Sequence, residues 1–499
     1  MKFYHKLVFL TVIATCMLFA SCKKGLLDVS PPDKLSTTIF WKSEGDADLA
    51  LAGLYNFLYA TGGNWACQQY EVMGWDTYTD DYFGRHNYGG GYNATSSGIT
   101  PNTGAYVANY YANNYKAIAA INSFLANVGK VISGDKLAKY KGEAYFLRAF
   151  NYFWLAILYG NVPIVKDDPF TIDFKTPMAK STREEVLAFV KQDLDAAIAA
   201  LPDDAYGSGH AVKATAQGYK VRALLFEKKY AEAAALAKQI IDGGKFSLNP
   251  DYAANFNKVG QNSSKEIMFS VKFLLPNIEH ADAALNVTMQ TWGGYQATQN
   301  LIDEYEANDP RKTMNFFFPG DGPAQGWPFD NPAVATPGGG QDWIVGYYLS
   351  KKWLTPGLKN PDYGVKGDND YVLLRYADIK LMYAEAQNEA SGPDATVYAQ
   401  VNEVRARPGV NMPGLPAGLT KDEMRARIRH ERRVEFPLEG IRYFDLRRWG
   451  IATQTLNGFA PNPLAPTFKI KYEDKYEYWP IPQTEIDRNA PVLVQNPGY

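Results

Sequence analysis

Apolar residues recur at alternating three- and four-residue steps along much of the chain, which is the pattern of amphipathic helices. The clearest example follows Thr103, where one helical face carries Val107, Tyr111, Asn114, Ile118, Ile121 and Leu125. A helix begins near Ser43, and Thr182 with Glu185 forms a capping box that predicts another, ending at Leu201. The same reasoning predicts further helices at about 135–159, 211–228, 230–242, 374–390, 394–407, 420–436 and 440–449.

Two long regions, 61–102 and 244–370, lack this periodicity and are rich in glycine, asparagine and aromatic residues. We expect one short helix near 297–307 and short strands near 266–273 and 343–349. Loops of this length are usually functional. No segment reads as a linker between independent domains. The pattern therefore predicts a mainly α fold: a single helix-rich body with long loop insertions and few short strands.

The charge balance and the cysteine content exclude several classes of protein. The chain has 53 acidic and 51 basic residues, and a nucleic-acid binder would need a basic surplus or stripe. Three cysteines, two of them in the N-terminal segment, exclude a disulfide framework and a multi-cysteine metal site. The 34 tyrosines, 26 phenylalanines and 10 tryptophans exceed what a core of this size needs, so some rings are expected to serve binding.

The N-terminus has the features of an export signal. Residues 7–20 form an apolar run that is shorter than the ~20 residues of a membrane-spanning helix, and two lysines precede it. Residues 19–22 (FASC) resemble a bacterial lipobox. We therefore expect 1–21 to be a lipoprotein signal peptide and Cys22 to carry the lipid that anchors the mature chain.

Catalytic motifs are not found. His430-Glu431 begins like a zinc-protease helix, but Val434 stands where the second histidine ligand is needed. No phosphate-binding glycine motif is present, and we predict no enzymatic activity and no cofactor. The arginines between 425 and 448 alternate with acidic residues, so we interpret this segment as an ion-paired helical hairpin. Trp154 and Trp449 lie in helical runs and are interpreted as core.

Several segments together carry a family resemblance. They are 26–31 with 40–41, 141–149 with 158–163, 308–311, 374–378 with 384–386, 401–407, 428–449, 480–486 and 496–499. In these segments the chain resembles the SusD/RagB family of Bacteroidetes outer-membrane lipoproteins, over essentially its whole length.

The resemblance implies one SusD/RagB-like domain over 22–499, with an N-terminal tether at 22–42 and about four tetratricopeptide-like helix pairs. It implies a lipid-anchored protein of the outer membrane, facing the cell surface. Such a protein captures oligosaccharides and delivers them to a SusC-like TonB-dependent porin. Hairpin residues such as Arg432, Arg433, Glu435 and Arg442 are then scaffold. A peptide ligand, as in the RagB branch, and glycoside hydrolysis remain alternatives.

The loop regions contain the residue types that bind sugars. The apolar face of a pyranose stacks on an exposed aromatic ring, and its hydroxyls need polar side chains nearby. The first region supplies Trp65, Trp75, Tyr78, Tyr88, Asp80 and Asp81, and the second supplies Trp292, Tyr295, Trp327 and Trp343. We expect Trp292, beside two glycines, to be a principal stacking ring. The resemblance adds Tyr111 and Asn114, for which core packing is an equal alternative.

Overall fold

The computed structural model of the protein describes residues 40–59, 75–84, 98–103, 106–173, 176–279, 295–318, 348–353, 367–461 and 467–499. Within them, the helices α1 to α15 span Glu44–Tyr55, Tyr106–Asn127, Gly134–Tyr159, Arg183–Ala200, Lys213–Phe226, Tyr230–Asp242, Lys258–Gln261, Gln299–Glu304, Arg311–Asn315, Tyr376–Ser391, Ala395–Arg405, Lys421–Glu435, Arg442–Arg448, Ala452–Leu456 and Gln483–Arg488. The strands β1 to β5 span Tyr82–Gly84, Ile267–Val271, Tyr295–Ala297, Tyr348–Leu349 and Tyr371–Arg375. The fold is mainly α, as predicted.

Helix boundaries follow the local signals that the sequence carries. At the start of α4, the Glu185 amide donates to Thr182 Oγ1 at 3.2 Å, and the Thr182 amide donates to Glu185 Oε2 at 2.7 Å. This reciprocal pair satisfies two backbone donors that the first turn leaves unpaired. Helix α3 ends at Tyr159. The next residue, Gly160, has a φ of 71°, a left-handed conformation in which a residue with a side chain would be strained.

The long helices pack on one another in chain order. Helix α2 packs on α3, α3 on α4, α4 on α5, α5 on α6, α6 on α10, and α10 on both α11 and α12. Leu155, Leu194 and Leu224 are among the buried side chains of this series. Burial of one such side chain contributes about 1.5–3 kcal/mol, so the packed faces hold the series together.

Two small sheets tie distant parts of the chain together. In the first, β3 pairs antiparallel with β1 on one side and with β4 on the other. Tyr82 lies opposite Ala297, and Gly84 lies opposite Tyr295. In the second, β2 pairs antiparallel with β5. The first sheet therefore joins the loop region 61–102 to the loop region 244–370.

The short elements of the loop regions agree in part with prediction. The helix expected near 297–307 is α8, the strand expected near 266–273 is β2, and the end of the strand expected near 343–349 is β4. Strand β1 lies in a region for which no regular structure was predicted. Among the described residues, no helix has the length and apolar character that crossing a membrane requires.

The C-terminal hairpin is an ion-paired scaffold, as predicted. Arg432 of α12 donates to Asp378 Oδ1 at 2.8 Å and to Asp445 Oδ2 at 2.7 Å, and all three side chains are buried. Trp154 packs against Phe444, with ring centroids 4.8 Å apart. Trp449 differs from the core position predicted for it: its ring is half-buried, because it ends α13 at the surface.

Candidate functional site

A groove of about 610 Å³ runs between α2, the segment after α3 and the C-terminal segment. Its walls are mainly apolar, formed by Tyr111, Ala112, Tyr115, Ile118, Ala119, Pro163, Val165, Pro169, Ile172, Met178 and Leu493. Pockets that bind small molecules are typically about 300–1,000 Å³ and lined in this way, with a few polar groups that orient the ligand. The groove has the size and lining of a binding site.

Two tyrosines of α2 form the aromatic wall of the groove. The ring centroids of Tyr111 and Tyr115 are 4.8 Å apart at an interplanar angle of 44°. The Tyr115 hydroxyl donates to the Pro163 carbonyl at 2.7 Å, which fixes the wall to the segment opposite. Burial raises the pKa of both tyrosines, so their hydroxyls stay neutral and keep a proton to donate.

Polar groups stand at the rim of the groove. Lys116 and Asp167 are exposed there, and Glu485 of α15 pairs with Arg488 at 2.7 Å. Asn489 closes one end, because its Oδ1 accepts from the Met178 amide at 3.3 Å. Charges of both signs thus surround an apolar floor. Such a rim suits a neutral molecule that has apolar faces and hydroxyl edges.

Phe170 is a candidate ligand-contacting residue that the sequence analysis missed. It follows Pro169 in the groove wall, and its side chain is 67% exposed. A large exposed aromatic beside an apolar groove is the arrangement expected of a stacking ring. The sequence signal was absent because the residue lies in the irregular segment 160–182 between two helices, where no periodicity indicates which side chains are exposed.

The aromatic residues predicted for the first loop region lie in the core where the structure describes them. Trp75 is 2% exposed and Tyr78 is 6% exposed. The Trp75 ring lies 4.9 Å from that of Trp479 and 5.9 Å from that of Tyr443, measured between centroids. The short helical turn 75–78 packs on α13, and this contact corrects the expectation that these rings are available to a ligand.

Asp80 and Asp81, predicted to bind hydroxyls, are buried in ion pairs. Arg442 Nη2 donates to Asp80 Oδ2 at 2.9 Å, and Arg433 Nε donates to Asp81 Oδ1 at 2.7 Å. Burial raises the pKa of Asp80, but the guanidinium groups of Arg433 and Arg442 outweigh it, and the pKa is lowered. The carboxylates are occupied by arginine, so the structure assigns them to the scaffold.

Asn114 is also in the interior. It is 1% exposed, and its Nδ2 donates to the Tyr110 carbonyl at 2.7 Å, one turn earlier in α2. Of the pair that the family resemblance suggested, Tyr111 lines the groove and Asn114 does not. Tyr111 belongs to the row of four-residue steps that continues with Tyr115 and Ala119 in the groove lining, and Asn114 lies outside that row.

The remaining predicted residues fall largely outside the described part of the chain. Tyr295 has its backbone in β3, opposite Gly84 of β1. Residues outside the described ranges are Cys22, Trp65, Tyr88, Trp292, Trp327 and Trp343. The antiparallel pairing places the end of β1 beside the start of β3, so the described ends of the two loop regions meet there. Within the described ranges, no cluster of three or more His, Cys, Asp or Glu side chains is arranged to hold a metal ion.

Comparisons with known proteins cover nearly the whole chain. A family model described as "SusD family" matches residues 252–499, and one described as "Starch-binding associating with outer membrane" matches 26–225. A SusD-like protein, P2, from Formosa agariphila is 25% identical over 426 residues, covering 79% of this chain and 81% of that protein.

Solved structures show the same fold. A SusD-like carbohydrate-binding protein from Bacteroides fragilis superposes with a TM-score of 0.80 at 23% identity, covering 90% of this chain and 99% of the other. Surface glycan-binding protein A from Bacteroides thetaiotaomicron, solved with laminarihexaose, gives a TM-score of 0.73 at 19% identity, covering 91% and 100%.

Proposed function

Because the chain belongs to the SusD family, we propose that it is a lipid-anchored, glycan-binding protein of the outer membrane, and not an enzyme. It captures an oligosaccharide and passes it to a SusC-like TonB-dependent porin for import. The family description associates such proteins with the outer membrane, which supports that location.

The groove beside α2 is the observation that carries the proposal. Its apolar wall contains Tyr111 and Tyr115, and the exposed Phe170 is next to Pro169 of the lining. Charged residues are confined to the rim. Sugar rings have apolar faces and hydroxylated edges, so an oligosaccharide is complementary to both parts. The complex of a structurally similar protein with laminarihexaose gives a defined probe for this chain.

A second location for the ligand is the place where the two loop regions meet. Strands β1 and β3 are paired, and Trp292 precedes β3 by three positions in the sequence. We keep Trp292 as a proposed stacking residue, because two glycines follow it and a glycine leaves room for a ligand to approach. The two locations make different mutational predictions.

We predict that one of two variants, Phe170→Ala for the groove or Trp292→Ala for the loops, weakens oligosaccharide binding about tenfold. Loss of one stacking ring costs roughly 1–3 kcal/mol. The measurement is calorimetric titration of each variant with laminarihexaose and with other oligosaccharides that bind the wild type on a glycan array. Loss of affinity in Phe170→Ala alone assigns the ligand to the groove, and loss in Trp292→Ala alone assigns it to the loops.

The matched control is Leu49→Ala, which removes an equally exposed apolar side chain, 70% exposed, from α1, outside the groove lining. It should leave affinity unchanged. Melting curves of all variants separate lost contacts from lost stability. Binding of a peptide panel with no response to any glycan would contradict the proposal in favour of the peptide-binding alternative. Release of shorter sugars on incubation would favour the hydrolase.

The porin partnership has its own test. We predict that the protein, purified in mild detergent from membranes of cells grown on the inducing glycan, retains a large β-barrel protein. Mass spectrometry of the sample identifies it. Repeated recovery of the lipoprotein alone under inducing growth would contradict the partnership without affecting the proposed glycan binding.

A further inference from the structure

A small cleft of about 60 Å³ lies between the start of α6, the end of α10 and helix α12. Its lining includes Arg429 of α12 and Trp449, together with Lys228 and Tyr230 at the start of α6. None of these residues belongs to the groove or to the loop regions. The cleft is therefore separate from the proposed oligosaccharide site.

Arg425, Arg429 and Arg432 are spaced about one turn apart on α12, and two of the three are paired with carboxylates. Arg425 donates to Glu389 from Nε at 2.5 Å and from Nη2 at 2.7 Å, and Arg432 Nε donates to Asp445 at 2.7 Å. Arg429 lies between them, one turn from each. In the described part of the chain it makes no ion pair, and its buried Nε has no hydrogen-bond partner. A carboxylate is missing at this one position of the series.

The guanidinium of Arg429 is nevertheless held in place. It stacks on the Trp449 ring at 4.6 Å from the centroid, and Arg448 stacks on the same ring at 5.1 Å. Stacking on an indole restricts the planar guanidinium and leaves its N–H edge free to form a two-point contact. Burial lowers the pKa of Arg429, and the neighbouring charges of Glu385 and Glu389, neither of which forms a direct ion pair with it, offset this only in part.

The lining of the cleft has a positive surplus. Lys228, Arg425, Arg429 and Arg448 are cationic, whereas Glu385 and Glu389 are the two acidic residues. Both acidic residues are already held: Glu389 by Arg425, and Glu385 by Arg448 Nη2 at 2.7 Å and by Trp449 Nε1 at 3.0 Å. An incoming anion would therefore meet two uncompensated positive charges.

We propose that this cleft binds a carboxylate group, with Arg429 as its two-point partner and Lys228 at the mouth. A volume of 60 Å³ holds about four water-sized groups, which accommodates a carboxylate and its carbon but excludes a whole sugar ring. The planar guanidinium matches the geometry of a carboxylate, and such charge-assisted pairs are strong. The ligand class is thus a small organic acid or the carboxylate of an acidic sugar.

The test uses the full-length protein labelled with 5-fluorotryptophan, in which the ¹⁹F signal of Trp449 is assigned by its loss in Trp449→Phe. Sodium acetate replaces sodium chloride at constant ionic strength. We expect a saturable shift of the Trp449 signal with acetate. Glucuronate should shift the same signal if an acidic sugar is the source, and glucose should not.

Arg429→Gln should weaken acetate binding at least tenfold, and Lys228→Gln should weaken it less. Arg427→Gln, which removes an exposed arginine from the same helix, is the matched control and should bind acetate like the wild type. A Trp449 signal that does not respond to acetate, or that responds equally to chloride, would overturn the proposal. Unchanged affinity in an Arg429→Gln variant with a normal melting curve would overturn it too.

Discussion

At the scale of single residues, Asp76 is a buried carboxyl group with too few partners. One oxygen accepts from the Gly440 amide at 3.2 Å, and the other has no hydrogen-bond partner among the described residues. Burial raises the pKa of Asp76 well above its usual value of 3.8, and the neighbouring charge of Asp81 raises it further. The folded state therefore binds the proton more tightly than the unfolded chain does.

We predict that Asp76→Asn becomes more stable relative to the wild type as pH rises above about 4. The wild type loses stability from its unfolded pKa upward until the folded pKa is reached, at about 1.4 kcal/mol for each unit of pKa difference. The amide has no such titration. Urea unfolding of both proteins at pH 4, 5.5 and 7 measures the change. A stability difference that is the same at all three pH values would contradict this account.

The burial of the candidate site residues could be predicted from the sequence only in part. Tyr111, which the family resemblance suggested and for which core packing was an equal alternative, lines the groove with most of its side chain buried, and its contact with a ligand stays a prediction. Asp80, Asp81 and Trp75 carry the residue types of a sugar site, but their burial depends on partners hundreds of positions away. Nothing in a local window distinguishes a carboxylate that is free from one that is held by arginine.

At the scale of elements, the end of α12 concentrates buried charge. Glu435 accepts hydrogen bonds from Arg311 Nη1 at 2.8 Å, Arg375 Nη1 at 2.7 Å and Arg407 Nη2 at 2.7 Å. Burial raises the pKa of Glu435, but these three guanidinium groups outweigh it and lower the pKa to about 2. The helix is thereby joined to α9, to β5 and to the segment that follows α11.

We predict that Glu435→Gln destabilises the protein by about 3–5 kcal/mol at neutral pH, because it leaves buried arginines without their counter-charge. The contribution of Glu435 is present above its unfolded pKa, near 4.5, and is lost as pH falls towards 2. Denaturant unfolding at pH 7 and pH 3 should therefore show a smaller difference at pH 3.

The control for this comparison is Asp422→Asn, at an exposed position of the same helix, which should change stability by no more than about 0.5 kcal/mol. An effect of Glu435→Gln as small as that of the control would show that the cluster is not needed for stability.

Helices were predicted well and short strands poorly, for a physical reason. A helix is specified by neighbours three and four positions away and by its caps, as Thr182 and Thr420 illustrate. Strand β1 has three residues, and its partner β3 lies more than two hundred positions later. Its pairing is decided by the tertiary fold, so its own sequence carries little signal.

At the scale of the whole molecule, the proposed lipid anchor at Cys22 would determine where the protein works. We predict that Cys22→Ala leaves the chain unlipidated and releases it from the membrane, because no thioether can form without the thiol. Fractionation of cells followed by intact-mass measurement tests this. Cys22→Ser, which keeps the size of the side chain but has no thiol, should behave as Cys22→Ala does. A mutant that stays in the outer-membrane fraction with an unchanged mass would contradict the prediction.

The overall architecture could be predicted from the sequence, whereas the position of the groove could not. The two family models match residues 26–225 and 252–499, and the hairpin and most of the helices lie within these ranges. The groove, in contrast, is assembled from three segments that are each unremarkable when taken alone. Only their packing creates an apolar floor, so its position could not be derived from composition or periodicity.

The ion pairs beneath the first sheet have a consequence for how the chain is made. Asp81 and Arg433 are 352 positions apart, and Asp80 and Arg442 are 362 apart. During synthesis the two carboxylates emerge long before the guanidinium groups that neutralise them. Contacts between such distant positions close late. The segment that carries β1 therefore cannot complete these ion pairs until α12 and α13 have been synthesised.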